Sequence, residues 1–155
     1  MSYFEKIKDR DYVFGALLLV ANKMETQLER TLSKYDITAK QWFTLLVIVN
    51  AFDKPPSIKE IAGEMSTSHQ NIKQLTLKLE AKGLVILEKD KRDQRVTIVK
   101  LTDKSHELFK IIEKDGIEFM ERFYKGIKSS DLKEGREFIE KIMENLNIME
   151  GRSNR

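Results

Sequence analysis

The chain of 155 residues has no cysteine. That absence excludes disulfides, thiolate nucleophiles, thiol redox sensing and cysteine-ligated metals together. Histidine is almost as scarce, at two residues, His69 and His106. His106 has Glu107 beside it, but Lys110 stands four residues on, where a second ligand would be needed on the same helix face, so no metal is expected. The glycines are isolated, Gly63 and Gly83 among them, and none forms a phosphate-cradling nucleotide loop. Lacking these elements, the chain is not expected to be an enzyme or to hold a cofactor. Long apolar runs are missing too. The longest, Ala16 to Ala21, falls far short of the roughly 18 residues of a membrane span. The first residues include Glu5, Asp9 and Asp11 and lack a signal-peptide layout, which makes a cytoplasmic protein with no membrane partner the expectation.

What is present is 41% apolar and 34% charged residues, the balance of a soluble, helix-rich chain forming one structural domain. Phe14, Leu17, Ala21, Met24, Leu28 and Tyr35 follow a three-four spacing that predicts a helix from about Asp9 to Tyr35. A helix that long implies a partner subunit. Thr38 is a candidate cap for the next segment, to Ala51, whose apolar run from Trp42 to Val49 predicts burial on nearly all sides. The only two prolines, Pro55 and Pro56, then stop the helix. Ser57 and Glu60 have capping-box spacing and open a short helix with Ile58, Ile61, Ala62 and Met65 inward. Ser66 and Thr67 break it. Ser68 caps a second helix with Ile72, Leu75 and Leu79 inward, closed by Gly83. Two short helices joined by a tight polar turn make a helix-turn-helix.

Beyond Gly83, the runs Leu84 to Lys89 and Val96 to Thr102 read as the strands of a hairpin around the charged loop Asp90 to Arg95. A helix from Asp103 to about Ile127 carries Leu108, Ile112, Phe119, Phe123 and Ile127, and a last helix from Leu132 to Met149 is capped by Ser130 or Asp131. The fold class is therefore mainly α with a small β-hairpin wing. Residues 36–102 form a winged helix-turn-helix lobe, 1–35 and 103–150 a helical region for dimerisation, and 151–155 a tail expected to be disordered.

Charge is concentrated in the lobe. The whole chain has 28 basic and 25 acidic residues, a net of +3. From Ser68 to Lys100, eight basic residues (Lys73, Lys78, Lys82, Lys89, Lys91, Arg92, Arg95, Lys100) stand against four acidic ones (Glu80, Glu88, Asp90, Asp93), so that segment is +4 and the rest −1. A basic block on a nearly neutral body is the footprint of a surface that meets phosphates.

The stretches "ITAKQWFTLLVIV" (from Ile37), "SIKEIAGEMSTSHQNIKQLTLKLEAKGLV" (from Ser57) and "DKRDQRVTIVKLT" (Asp90 to Thr102) together resemble the MarR family of winged-helix transcriptional regulators. The wing, with Asp93, Arg95, Leu101 and Thr102 in the family's spacing, is the most specific of the three. The residues and the resemblance agree on a double-stranded-DNA-binding regulator. The N-terminal part of the second helix of a helix-turn-helix enters the major groove, which nominates Gln70, Asn71, Gln74 and His69 for base edges. Ser68, Lys73, Lys78, Lys91 and Arg92 are candidates for phosphates. The resemblance implies that Arg95 reaches into the minor groove with Asp93 fixing its direction, and that the terminal helices pair two subunits. Phe14, Leu132, Phe138, Ile139, Ile142 and Leu146 are the interface candidates, and a homodimer would read a pseudo-palindromic site. Repression is the commoner behaviour in such families, which also often bind small aromatic or anionic effectors; Tyr35, Trp42 and Phe43 are candidates to line such a pocket. An effector-free winged-helix module that binds protein or RNA is the alternative.

Overall fold

The computed structural model describes residues Ile7 to Gly151. Its elements are α1 (Asp9–Leu32), a 3₁₀ turn (Ser33–Tyr35), α2 (Ala39–Asn50), α3 (Ile58–Glu64), α4 (His69–Ala81), β1 (Val85–Lys89), β2 (Thr97–Leu101), α5 (Asp103–Phe123) and α6 (Ser129–Met149). This is a mainly helical winged-helix fold with one two-stranded antiparallel sheet. No helix among the described residues is long and apolar enough to cross a membrane. By packing, the described residues form two compact units, one up to Gly116 and one from Ile117 on, with the division inside α5. Leu32 of α1 is buried in the core of the first unit and Leu28 packs against it.

The first unit is organised by caps at each helix start. The Gln41 N–H donates to Thr38 Oγ1 and the Thr38 N–H to Gln41 Oε1, both at 3.2 Å, a full capping box for α2. The Ser57–Glu60 box opens α3, with the Ser57 N–H and hydroxyl both donating to Glu60 Oε2 at 2.7 Å. These bonds hold the Glu60 carboxyl below the usual glutamate range. Gly83, at φ +71°, ends α4: the Leu84 N–H reaches the Leu79 carbonyl and the Gly83 N–H the Glu80 carbonyl. Leu45, Ile61, Ile72, Leu79, Val85 and Val99 fill the centre of the core.

The hairpin register runs from Val85 opposite Leu101 to Lys89 opposite Thr97. A further tie anchors it. Ser57 bridges to Ile98, and the Val99 N–H donates to the carbonyl of the buried Pro56 at 2.8 Å. Pro56 thus does more than stop a helix, because its own carbonyl is presented to the wing.

Several expected boundaries shift. α1 ends at Leu32 rather than Tyr35, because the chain tightens into the 3₁₀ turn and Asp36 adopts a left-handed backbone, φ +52°. α2 is not buried on nearly all sides: Phe43 is 55% and Val49 41% exposed, because neighbouring elements cover only one flank of this helix. α5 ends at Phe123 rather than near Ile127, before a turn with Gly126 at φ +82°. α6 starts at Ser129, and its cap is neither Ser130 nor Asp131 in the expected sense: Asp131, in the first turn, reaches back to accept the Lys128 N–H at 3.1 Å. Of the expected tail, 151–155, residues 152–155 lie outside the described residues.

In the second unit, none of the described residues is buried. Phe119 stacks on Phe123, Phe123 meets Tyr124 edge to face, and Arg136 pairs with Glu140 one turn on.

Candidate nucleic-acid interface

Helix α4 owes its orientation to a clean division of its faces. Ile72, Thr76 and Leu79 are fully buried, and the Thr76 hydroxyl is satisfied by donating to the Ile72 carbonyl at 2.9 Å. His69, Gln70, Asn71, Lys73 and Gln74 are all exposed at its N-terminal end. They are not equally free. Asn71 donates its backbone N–H to Ser68 Oγ at 3.1 Å and its amide to Thr67 Oγ1 at 3.2 Å, so its side chain is tied to the turn. The Ser68 hydroxyl, occupied as an acceptor, still has its proton to donate. Lys78 stands on the flank, lining an open hollow with Glu25, Glu29 and Arg30 of α1, away from Ser68 and Lys73.

The wing tip is built by three residues. Asp90 Oδ1 accepts the Arg92 and Asp93 N–H groups at 2.7 and 2.9 Å, an Asx turn that folds the loop back. Asp93 in turn accepts the Arg95 N–H and Nε–H at Oδ1, both at 3.0 Å, and Nη2–H at Oδ2, at 3.1 Å. The fork is bidentate, and the Arg95 side chain is nonetheless 92% exposed. Arg95 beside it holds the Asp93 carboxyl below its ordinary range, and Asp93 raises the arginine in return. The Asp90 carboxyl is also lowered, by the Asp93 and Arg92 backbone donors.

The basic block is partly spent on the fold. Lys100 pairs with Glu88 at 2.5 Å, Lys82 with Asp36, and Lys89 donates to Thr97 Oγ1. Lys73, Lys91 and Arg92 are exposed and have no ion pair among the described residues.

These positions can be set beside known proteins. The family model for the transcriptional regulator SarA/Rot matches residues 27–112, which span the core helices, α4 and the wing. The chain belongs to the SarA/Rot family of transcriptional regulators. It is 22% identical over 145 residues to the HTH-type transcriptional repressor IacR of Pseudomonas putida, covering 94% of this chain and 86% of that one. Its fold matches a MarR protein from Peptoclostridium difficile with a TM-score of 0.82 at 15% identity, over 96% and 95% of the two chains. It also matches S. aureus MepR, solved in a complex with DNA, with a TM-score of 0.72 at 18% identity, over 88% and 95%. The chain is a MarR-type regulator in fold, as its motifs imply.

In this SarA/Rot member the three pocket candidates are not gathered together. Tyr35 donates its hydroxyl to Asp115 Oδ2 at 2.8 Å and borders a small hollow of about 170 Å³ with Lys82, Leu84 and Lys104. Lys34, at 2.5 Å, and then Tyr35 hold the Asp115 carboxyl low, while the bond to Asp115 raises the tyrosine. Trp42 packs on Phe109, ring centroids 5.1 Å apart, and lines neither cavity. Phe43 alone borders a larger apolar groove of about 790 Å³, with Met24, Leu28 and Met65, whose edge is formed by Asn71 and Gln74. Trp42 and Phe43 part because consecutive positions on α2 point in different directions, and Tyr35 lies in the preceding 3₁₀ turn, drawn to Asp115.

Of the interface candidates, Phe14 is 70% exposed, Leu132, Phe138, Ile139 and Leu146 are exposed, and Ile142 is half-buried. Two features of the site have no counterpart in the sequence reading. Asp90 shapes the wing, and its spacing to Arg92 and Asp93 was the available signal. Leu77 is 46% exposed on α4, hidden in sequence by the alternation Leu75, Leu77, Leu79, of which only the middle member faces out.

Proposed function

We propose that the chain is a sequence-specific repressor that binds double-stranded DNA as a homodimer on a pseudo-palindromic operator. The observation that carries this reading is the combination, in a SarA/Rot family member, of a polar outer face on α4 with a wing whose exposed arginine is aimed by a bidentate carboxylate. Gln70 and Gln74, with His69 and the tethered Asn71, read base edges in the major groove. Ser68, Lys73, Lys91 and Arg92 hold phosphates, and Lys78 does so from the helix flank. Arg95, in the wing, enters a narrow minor groove whose negative potential favours a guanidinium. Dimerisation is supported by the unburied apolar side chains of α6, and repression by the named activity of the IacR relative. A small aromatic effector would sit in the Phe43 groove; Lys40 there faces Glu25 at 3.7 Å, which disfavours an anion. Its contact with Asn71 and Gln74 would couple ligand to DNA.

Genomic DNA selection with the purified protein at fixed salt tests the reading. A recurrent two-fold-symmetric site is the expected result. Absence of any enriched duplex defeats it, and retained single-strand RNA binding in its place would favour an RNA-binding module.

A further inference from the structure

Leu77 is an apolar side chain where the fold gives it nothing to cover. The buried face of α4 is Ile72, Thr76 and Leu79, all fully inaccessible, whereas Leu77 is 46% exposed. Gln70, Lys73, Gln74 and Leu77 follow one another at three- and four-residue spacing, so all lie along one outward stripe. The first three are polar, and their place is explained by phosphates and base edges. The leucine matches neither. Base pairs present one apolar group in the major groove, the C5-methyl of thymine.

We propose that Leu77 is a specificity-determining residue that reads a thymine methyl in each half-site. The inference rests on the DNA-binding reading above and extends it to a methyl group that no hydrogen-bonding side chain of α4 reads. Helical rise places Leu77 about 10.5 Å along the axis from Gln70. At about 3.4 Å per base step, the thymine lies about three base pairs from the base that Gln70 contacts. Exposed leucines often have no role, and the methyl reading is distinguished from that by its single-atom target.

The test replaces each thymine of the selected operator in turn by deoxyuridine, which removes only the methyl group, symmetrically in both half-sites. For the wild-type protein one position should weaken binding by about fourfold per half-site, the loss of one buried methyl contact. Leu77→Ala should bind the thymine and uracil operators equally at that position and keep the wild-type response at all others. Leu77→Met, which retains apolar reach, should preserve the methyl dependence; it decides the matter if the alanine variant binds too weakly to measure. A wild-type protein indifferent to every methyl, or a Leu77→Ala protein that still loses affinity at the same position, overturns the assignment while leaving operator binding intact. Failure of the wild-type protein to bind any duplex selectively overturns the DNA reading itself, and this inference with it.

Discussion

Arg95 illustrates how a fully solvated side chain acquires direction. Two hydrogen bonds from its guanidinium and one from its own backbone converge on Asp93, so the fork loses rotational freedom before any ligand arrives. Arg95→Ala should therefore weaken operator binding at least tenfold with an unchanged melting temperature; near-wild-type affinity in a gel-shift titration removes the minor-groove role. The pH dependence of this pair has a definite sign. Because Asp93 is depressed in the folded protein, chiefly by the Arg95 side chain, the pairing is complete above the ordinary carboxylate range and is lost only as pH falls through the lowered value. Operator affinity should show no Asp93 titration near neutrality, and a midpoint there that vanishes in Asp93→Asn contradicts the pairing. Lys91 is a different kind of residue, an exposed cation on the loop. Lys91→Ala should lower affinity evenly across sequences and flatten the salt slope by about one unit per protomer; an unchanged slope places Lys91 off the phosphates.

Among the elements, α3 is short enough that its start decides whether it forms. Both halves of its capping box converge on Glu60, which leaves the carboxylate stabilised by hydrogen bonds available only in the folded chain. Ser57→Ala should cost about 1 kcal/mol. The Glu60 contribution is present above the unfolded glutamate range and lost as pH falls through the depressed folded value. Wild type should thus lose stability on acidification more steeply than Glu60→Gln, and parallel curves for the two proteins in urea titrations would exclude the box as the cause. This cap was legible in the sequence because its partners are three residues apart. So were Ser68, Gly83 and the hairpin, each encoded by neighbours. Contacts between distant residues were not legible: the Pro56 carbonyl on Val99, the separation of Tyr35 from Phe43, and the exposure of Phe43 on an apolar helix. In α2 every position from Leu45 to Val49 is apolar, so composition could not say which flank lacked a neighbour. At the candidate site the polar residues of α4 were readable from their place in the helix-turn-helix and the Asp93–Arg95 pair from the resemblance to a known family, whereas Leu77 required knowing which face the core claims.

For the whole molecule the decisive fact is an imbalance of burial. From Ile117 to Gly151 no described residue is buried, yet Ile117, Met120, Ile127, Leu132, Phe138, Ile139, Met143, Leu146 and Ile148 are all at least 41% exposed. Monomeric proteins rarely leave so much apolar surface in one stretch uncovered, and the stretch is a helical segment that forms no core of its own within the chain. The proposed homodimer would cover it by symmetry with a second copy of the same surface, since an isologous interface needs only one self-complementary patch. The unfolding midpoint should accordingly rise with protein concentration, because association stabilises only the folded form. Leu146→Asp places a charge in that patch on an already exposed position, so the helix keeps its solvent face while dimerisation loses a contact and gains an unpaired carboxylate. The variant should sediment as a monomer, lose the concentration dependence, and bind a full operator no more tightly than an isolated half-site, with the wing and α4 unaltered. A Leu146→Asp protein that remains dimeric and retains the full-operator advantage moves the interface away from α6.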